Sequence, residues 1–371
     1  MIVRIQTKTD KEAEAQLKNI FLHPVNAKEC SMIRIHSVDG PLKHYLVIQV
    51  HHLVVDGEGV KRICVKFAEI YQALYRDKDW KPAKVLDPCR SWQQMVKNVS
   101  LRSFLFAGKV YFSNMFAMIA SVLKKGTRYQ LIGDRDVDKD LQEASYFESI
   151  IIEEELMMQF KAFTSRQQIT VNDVFMTSFS LATMQWNTDR GDERAWLRFY
   201  YTANLRRWWG EPNGTFGNFS IVLTHEEVFE NLQSPSLALA NTKAKVDKVK
   251  KLIGINSFIL MMLLQGTPYV LIRQFFLGIK GKLIEFLRHN HVMTNIGIIY
   301  KEAGDFGHTQ AVNYSLLAPT VADGCILFTL STYRNVTTIH LGSTESSLKK
   351  ESAKRFLTLW KQMILKVISE Q

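Results

Sequence analysis

The heptapeptide His51-His52-Leu53-Val54-Val55-Asp56-Gly57 is where this chain concentrates residues able to do chemistry. An imidazole with an unperturbed pKa of ~6.5 takes up and gives back a proton near neutrality, the property a general base needs. Two adjacent histidines are more often structural than reactive, so the surrounding pattern decides, and HHxxxDG arises by chance in fewer than roughly one chain in a thousand at average residue usage. Asp56 stands just before a helical pattern, where a carboxylate caps a helix. Gly57 supplies a backbone conformation or a close approach that a Cβ would block. Other chemistries lack their signatures. No GxSxG serine elbow is present, nor a GxxxxGK[ST] or GxGxxG phosphate loop. His289 and His291 form an HxH pair with no Cys or carboxylate cluster of suitable spacing, so no metal is expected.

The elements around this segment are readable. His44 to Val50 is a short apolar run rich in β-branched residues, a buried strand leading into the two histidines. Val60, Ile63, Cys64, Phe67, Ile70, Tyr71 and Leu74 then recur at helical spacing up to Arg76. The unit is strand, polar turn, helix. Further strands are expected at Glu148 to Ile152, Leu197 to Ala203, Phe219 to Leu223, Val292 to Tyr300, Cys325 to Thr332 and Thr337 to Leu341. Helices are expected at Glu154 to Thr164, at Val171 to Trp186 with Thr170 as N-cap, and at Lys349 to Ile368. Alternating strands and helices indicate an α/β architecture. The acidic stretch from Asp134 to Glu155 reads as a connection between lobes, giving an N-terminal lobe over 1–140 and a C-terminal lobe over 141–371.

HHxxxDG at the end of an apolar strand resembles the chloramphenicol acetyltransferase-like superfamily of acyltransferases, which includes condensation domains of nonribosomal peptide synthetases, wax-ester synthase/diacylglycerol acyltransferases and alcohol acetyltransferases. Three later segments support the resemblance in family order: Thr170-Val171-Asn172-Asp173-Val174, then Asn204-Leu205-Arg206 with Gly217-Asn218-Phe219, then Thr294-Asn295-Ile296-Gly297. The resemblance implies two lobes, each a mixed sheet with helices, with an active-site tunnel at their interface. It implies His52 as the catalytic base, His51 as a structural companion, and Asp56 paired with an arginine, Arg206 first and Arg207 next. Asn218, Asn204 and Asn295 are its candidate substrate-binding residues, Asn218 as an oxyanion donor. Trp208 and Trp209 either floor a pocket or pack in the core. The activity implied is transfer of an acyl group from a coenzyme A or carrier-protein phosphopantetheine thioester to a hydroxyl or amine, with no tightly bound cofactor. A free-standing condensation enzyme with carrier-bound substrates, and a non-catalytic scaffold, are the alternatives. Two features depart from the family: the N-terminal lobe looks short, and Gly304-Asp305-Phe306-Gly307-His308 lacks the Trp of the plant DFGWG motif.

Composition sets the wider bounds. At 371 residues with 46% hydrophobic and 22% charged residues, the chain makes a sizeable core and is not a disordered protein. The net charge of +11 favours polyanionic partners. There are ten Lys or Arg against two Asp between Lys78 and Arg128, and nine against two acids between Lys243 and Arg288. These segments include the apolar stretches Phe104 to Val122 and Leu252 to Phe276. They read as helices packed on their own protein with a solvated basic face, or as attachment to an anionic membrane surface. Nucleic acid is not expected, since no recognition module accompanies the charge. Cys30, Cys64, Cys89 and Cys325 form neither a CxxC pair nor a disulfide ladder, which fits a reducing compartment, by default the cytosol. The first ten residues carry charge and no apolar signal segment, and no apolar run is long enough to span a bilayer.

Overall fold

The computed structural model describes residues 2–23, 25, 31–52, 54–82, 105, 129–130, 132–134, 145–192, 194–204, 206, 217–266, 291–318 and 325–370, with backbone alone for 129–130 and 252–266. Arg207, Trp208, Trp209, His289, Cys30, Cys89 and most of the Phe104 to Val122 stretch lie outside the described residues.

The chain opens with β1 (Ile2–Gln6), α1 (Asp10–Leu22), β2 (Ile33–Asp39) and β3 (His44–Val50). β1 pairs parallel with β2, and β2 antiparallel with β3, making a three-stranded sheet in the order β1-β2-β3. The helix α1 closes over it, burying Ala13 and Ile20 against Val38 and Val47. Thr9 caps this helix by accepting from the Glu12 N–H at 3.1 Å, while the Glu12 carboxylate accepts from the Lys8 N–H at 2.9 Å. Helix α2 (Gly57–Arg76) follows β3 after a six-residue turn that contains both histidines.

The second lobe is built on a seven-stranded sheet. Its order is β4 (Tyr129–Gln130), β6 (Trp196–Asn204), β8 (His291–Ile298), β9 (Ile326–Tyr333), β10 (Val336–Thr344), β5 (Ser145–Ile152), and β7 (Ser220–Val228) pairs with β6. β4 thus joins this sheet ahead of the boundary expected at residue 140. Helices α3 (Glu154–Arg166), α4 (Val171–Thr188), α5 (Pro235–Gly266) and α6 (Lys350–Ser369) complete the lobe. The strands and helices expected within the described residues appear: β3 has the expected bounds, and the others differ by one to a few residues at their ends.

α4 is the central helix, buried on nearly every side. Three of its buried hydroxyls bond to its own backbone: Thr177 donates to the Asp173 carbonyl at 2.7 Å, Ser178 to that of Phe175 at 3.1 Å and Ser180 to that of Met176 at 3.0 Å. Phe179 lies edge-on to Phe199, Phe328, Phe356 and Trp360, locking α4 and α6 to the sheet. Each such ring is worth about 1.5–3 kcal/mol in burial alone. Among the described residues no helix is long and apolar enough to cross a membrane.

The lobes are joined through α2. Ile48, Val60, Cys64 and Val65 of the first lobe share one apolar cluster with Ile299, Ala303, Tyr314, Leu316 and Tyr333 of the second.

Candidate active site

β6 and β8 run parallel and pair from Phe199 opposite His291 to Tyr201 opposite Met293, and there the pairing ends. Beyond that point β6 stays with β7 as far as Asn204 opposite Ser220, while β8 stays with β9 as far as Ile298 opposite Thr332. The sheet forks at the carboxyl ends of two parallel strands, the kind of crevice in which α/β proteins place their ligands. A 2.8 Å contact between the Thr202 and Thr294 hydroxyls is the last tie before the prongs separate. The amino end of α2 stands in this fork.

Asp56 fixes α2 to the first prong. Its Oδ1 caps the helix, accepting from the Gly59 N–H at 3.0 Å. Its Oδ2 accepts from Arg206 Nη1 at 2.7 Å and from the Phe219 N–H at 2.8 Å. The cap and the ion pair, alternatives in the sequence, coexist on separate oxygens. Arg206 is 3% exposed, donates through Nη2 to the Gly217 carbonyl at 3.0 Å, and lies over the Phe219 ring. Asn204 Oδ1 holds Arg206 in turn, accepting from its N–H at 3.0 Å and from Nη1 at 3.3 Å.

Gly57 faces the second prong. A Cβ there would meet the Ile296 side chain at 3.3 Å, so the glycine serves close approach. Ile296 sits in a bulge of β8 between Asn295 and Gly297, and Gly297 adopts φ +78°, which a side chain would strain. Asn295 stabilises the bulge by accepting from the Gly297 N–H at 2.9 Å, and donates to Asn172 Oδ1 at 3.3 Å. Asn172 is held at the start of α4 by a capping box of Thr170 and Asp173.

His52 is exposed to solvent. Its Nδ1 lies 3.1 Å from the Val55 carbonyl. A carbonyl only accepts, and this contact is shorter than the 3.3 Å from Nδ1 to Asn218 Nδ2, its other neighbour, so Nδ1 carries the proton and Nε2 presents its lone pair. Asn218 Nδ2 donates to the His52 carbonyl at 3.3 Å and abuts the ring, while its Oδ1 accepts from the Ser220 hydroxyl at 2.8 Å. Asn218 is therefore the asparagine brought to His52, whereas Asn204 and Asn295 brace the framework. His51 is half-buried, and its backbone N–H donates to the Met32 carbonyl at 2.9 Å. His291 lies inside the second lobe, where its Nε2 accepts from the Ile132 N–H at 2.9 Å and is not open to a metal.

One group at the fork carries no motif. Lys61 is 5% exposed, and its ammonium donates to the carbonyls of Ile296 at 3.2 Å and Ile298 at 3.1 Å. It also meets Glu58 Oε2 at 2.7 Å and sits over the Tyr300 ring. Burial alone would raise the Glu58 pKa, but donors from Lys61, Tyr300 and Arg62 outweigh it and bring it down to about 2. The buried positions of α2 include Lys61, Cys64 and Ala68, so the stripe extended back one turn from Cys64 lands on the lysine. That spacing was the available signal.

A family model for the condensation domain matches residues 1–191. The chain belongs to the condensation-domain family. Solved structures agree in fold over essentially the whole chain. The epimerization domain from the third module of tyrocidine synthetase B superposes with a TM-score of 0.69 at 14% identity, over 99% of this chain and 79% of that one. The first condensation domain of the CDA synthetase gives 0.69 at 12%, over 100% and 76%. A trichothecene 15-O-acetyltransferase from Fusarium sporotrichioides gives 0.71 at 11%, over 99% and 77%. At these identities the likeness is one of fold. No curated protein sequence matches significantly. Family and fold together place this two-lobed protein among those that carry out condensation or acyl transfer in the general sense.

Proposed function

We propose that this member of the condensation-domain family transfers an acyl group from a thioester, coenzyme A or carrier-bound phosphopantetheine, to a hydroxyl or amine, with His52 as the single general base. The observation that carries the reading is the exposed imidazole with its Nδ1 turned to the Val55 carbonyl, which leaves Nε2 as the proton acceptor. The acceptor's O–H or N–H gives its proton to Nε2 as the oxygen or nitrogen attacks the thioester carbonyl. The tetrahedral intermediate then collapses with cleavage of the C–S bond, and the imidazolium returns the proton to the departing thiolate. No covalent acyl-enzyme is needed. Asn218 spends one N–H on the His52 carbonyl and has a second to offer an oxyanion. Asp56 is a structural residue in this scheme. Its oxygens are committed to Gly59, Phe219 and Arg206, so it holds the loop.

The family match also favours a second reading, a condensation enzyme that joins two carrier-bound partners supplied in trans. The excess positive charge of +11 suits the phosphates of either donor. Thiol release should be followed for the parent and His52→Ala with acyl-CoAs of graded length against alcohol and amine acceptors, and again with acylated carrier protein, the acceptor free or carrier-bound. The expected result is turnover by the parent that falls by about 10²–10⁴-fold in the variant with an unchanged circular dichroism spectrum. Turnover only when donor and acceptor are both presented on carrier protein selects the second reading. Equal turnover by variant and parent refutes His52 as base, and none from either donor leaves the fold as a scaffold.

A further inference from the structure

We propose that Lys61 is a positioning residue of this site: its buried ammonium closes the open edge of β8 and thereby sets the position of the loop that carries His52. The need for it follows from the fork. Past Met293, β8 has no strand on its β6 side among the described residues, so no described strand pairs with the carbonyls of Ile296 and Ile298 on that edge. Both carbonyls instead take a donor from the buried Lys61, and the bulge at Ile296 interrupts regular pairing there. Lys61 supplies two of its three N–H groups to these carbonyls and the third to Glu58. Glu58 is tied to the same strand end, since its Oε1 accepts from the Tyr300 hydroxyl at 2.6 Å. The ammonium therefore has three acceptors for its three N–H groups.

Only four residues separate Lys61 from Asp56, so one short stretch at the start of α2 is fastened to both prongs, by Asp56 to Arg206 and Phe219 and by Lys61 to β8. The His51–Val55 turn hangs from this stretch. Loosening the β8 fastening frees the amino end of α2 to shift toward the first prong and moves the imidazole relative to the second lobe. Offsets of about 1 Å at a reacting group cost turnover without altering the affinity of remote substrate parts.

The effect on turnover rests on the acyl-transfer reading, but the effect on β8 does not, and the test keeps them apart. Amide hydrogen exchange of the full chain is followed by mass spectrometry for peptides covering 294–300, with peptides from α4 and α6 as internal reference. Thiol release is measured on the same samples. Lys61→Met is expected to speed exchange across 294–300 at least tenfold with the reference peptides unchanged. It should also lower kcat about tenfold with KM within twofold, while Lys61→Arg restores much of both. Unchanged exchange in 294–300 overturns the proposal. So does a loss of kcat that merely follows a global rise in exchange. Should Lys61→Met not accumulate folded, Glu58→Gln decides by the same exchange readout, with a smaller but local acceleration expected. A parent without thiol release defeats the acyl-transfer reading and leaves the exchange comparison to judge Lys61.

Discussion

Asp56 divides three hydrogen bonds between two oxygens, and the division explains why one carboxylate reconciles two separate readings of its motif. Oδ1 caps α2 and Oδ2 binds Arg206 and the Phe219 N–H. With Asp56 and Arg206 each 3% exposed, the pair is fully withdrawn from water. Removing one member leaves the other charge buried and uncompensated, a loss of about 3–5 kcal/mol, far more than the net worth of the intact pair. Asp56→Asn, which preserves the cap but not the charge, should therefore lower unfolding free energy by about that amount in urea titrations. Arg206→Met added to it should cost little more, and simple additivity of the two would contradict the pairing. At this scale the sequence was informative where the residue types are rare together. Two histidines, an aspartate and a glycine in fixed spacing named the loop, and Asn-x-Arg named the partner. Lys61 was illegible because lysine on a helix is nearly always a surface residue. Only its place in the buried stripe distinguished it.

Among the elements, α4 depends most on how it begins. Thr170 and Asp173 bind each other's backbone N–H groups in a reciprocal cap, and Asp173 is buried beneath it. Thr170→Ala should cost about 1 kcal/mol, read as a lowered urea midpoint with unchanged slope. The effect should extend to Asn172 and its bond to Asn295, seen as faster exchange at 294–297. α4 was legible, since its cap and its long apolar run coincide. By contrast β1, α1 and β2 were not anticipated, although Thr9-Asp10-Lys11-Glu12 is itself a capping signature. α1 buries only a narrow stripe about Ala13 and Ile20, and its many charges hide the period. β2 is largely half-buried along its length, so it shows no sharp alternation. Both are held by pairing and packing with residues well separated in sequence, which local patterns do not report.

For the molecule as a whole, three histidines of the second lobe set its acid limit. Burial pushes His291 down to about 3 and His340 down to about 4, and burial with the nearby Lys245 ammonium brings His225 down to about 4. All three are neutral in the folded chain at pH 5, whereas in the unfolded chain they take up protons below the ordinary value of 6.5. Stability is thus full above pH 6.5 and is lost progressively as the pH falls toward 3–4. By linkage the loss is about 1–2 kcal/mol per histidine at pH 5. Urea titrations at pH 7 and pH 5 should show it, and His291→Gln should reduce the slope between them. An unchanged slope would mean that His291 is already charged inside the lobe. The fork has a consequence of the same reach. Parallel strands close rung by rung like a zipper, and this one stops at Tyr201 and Met293, with the helix end lodged between the prongs beyond. Were that stop to relax, β6 and β8 would seam together to their tips, and the stretch bearing the imidazole would be squeezed out as a splinter is from a closing crack.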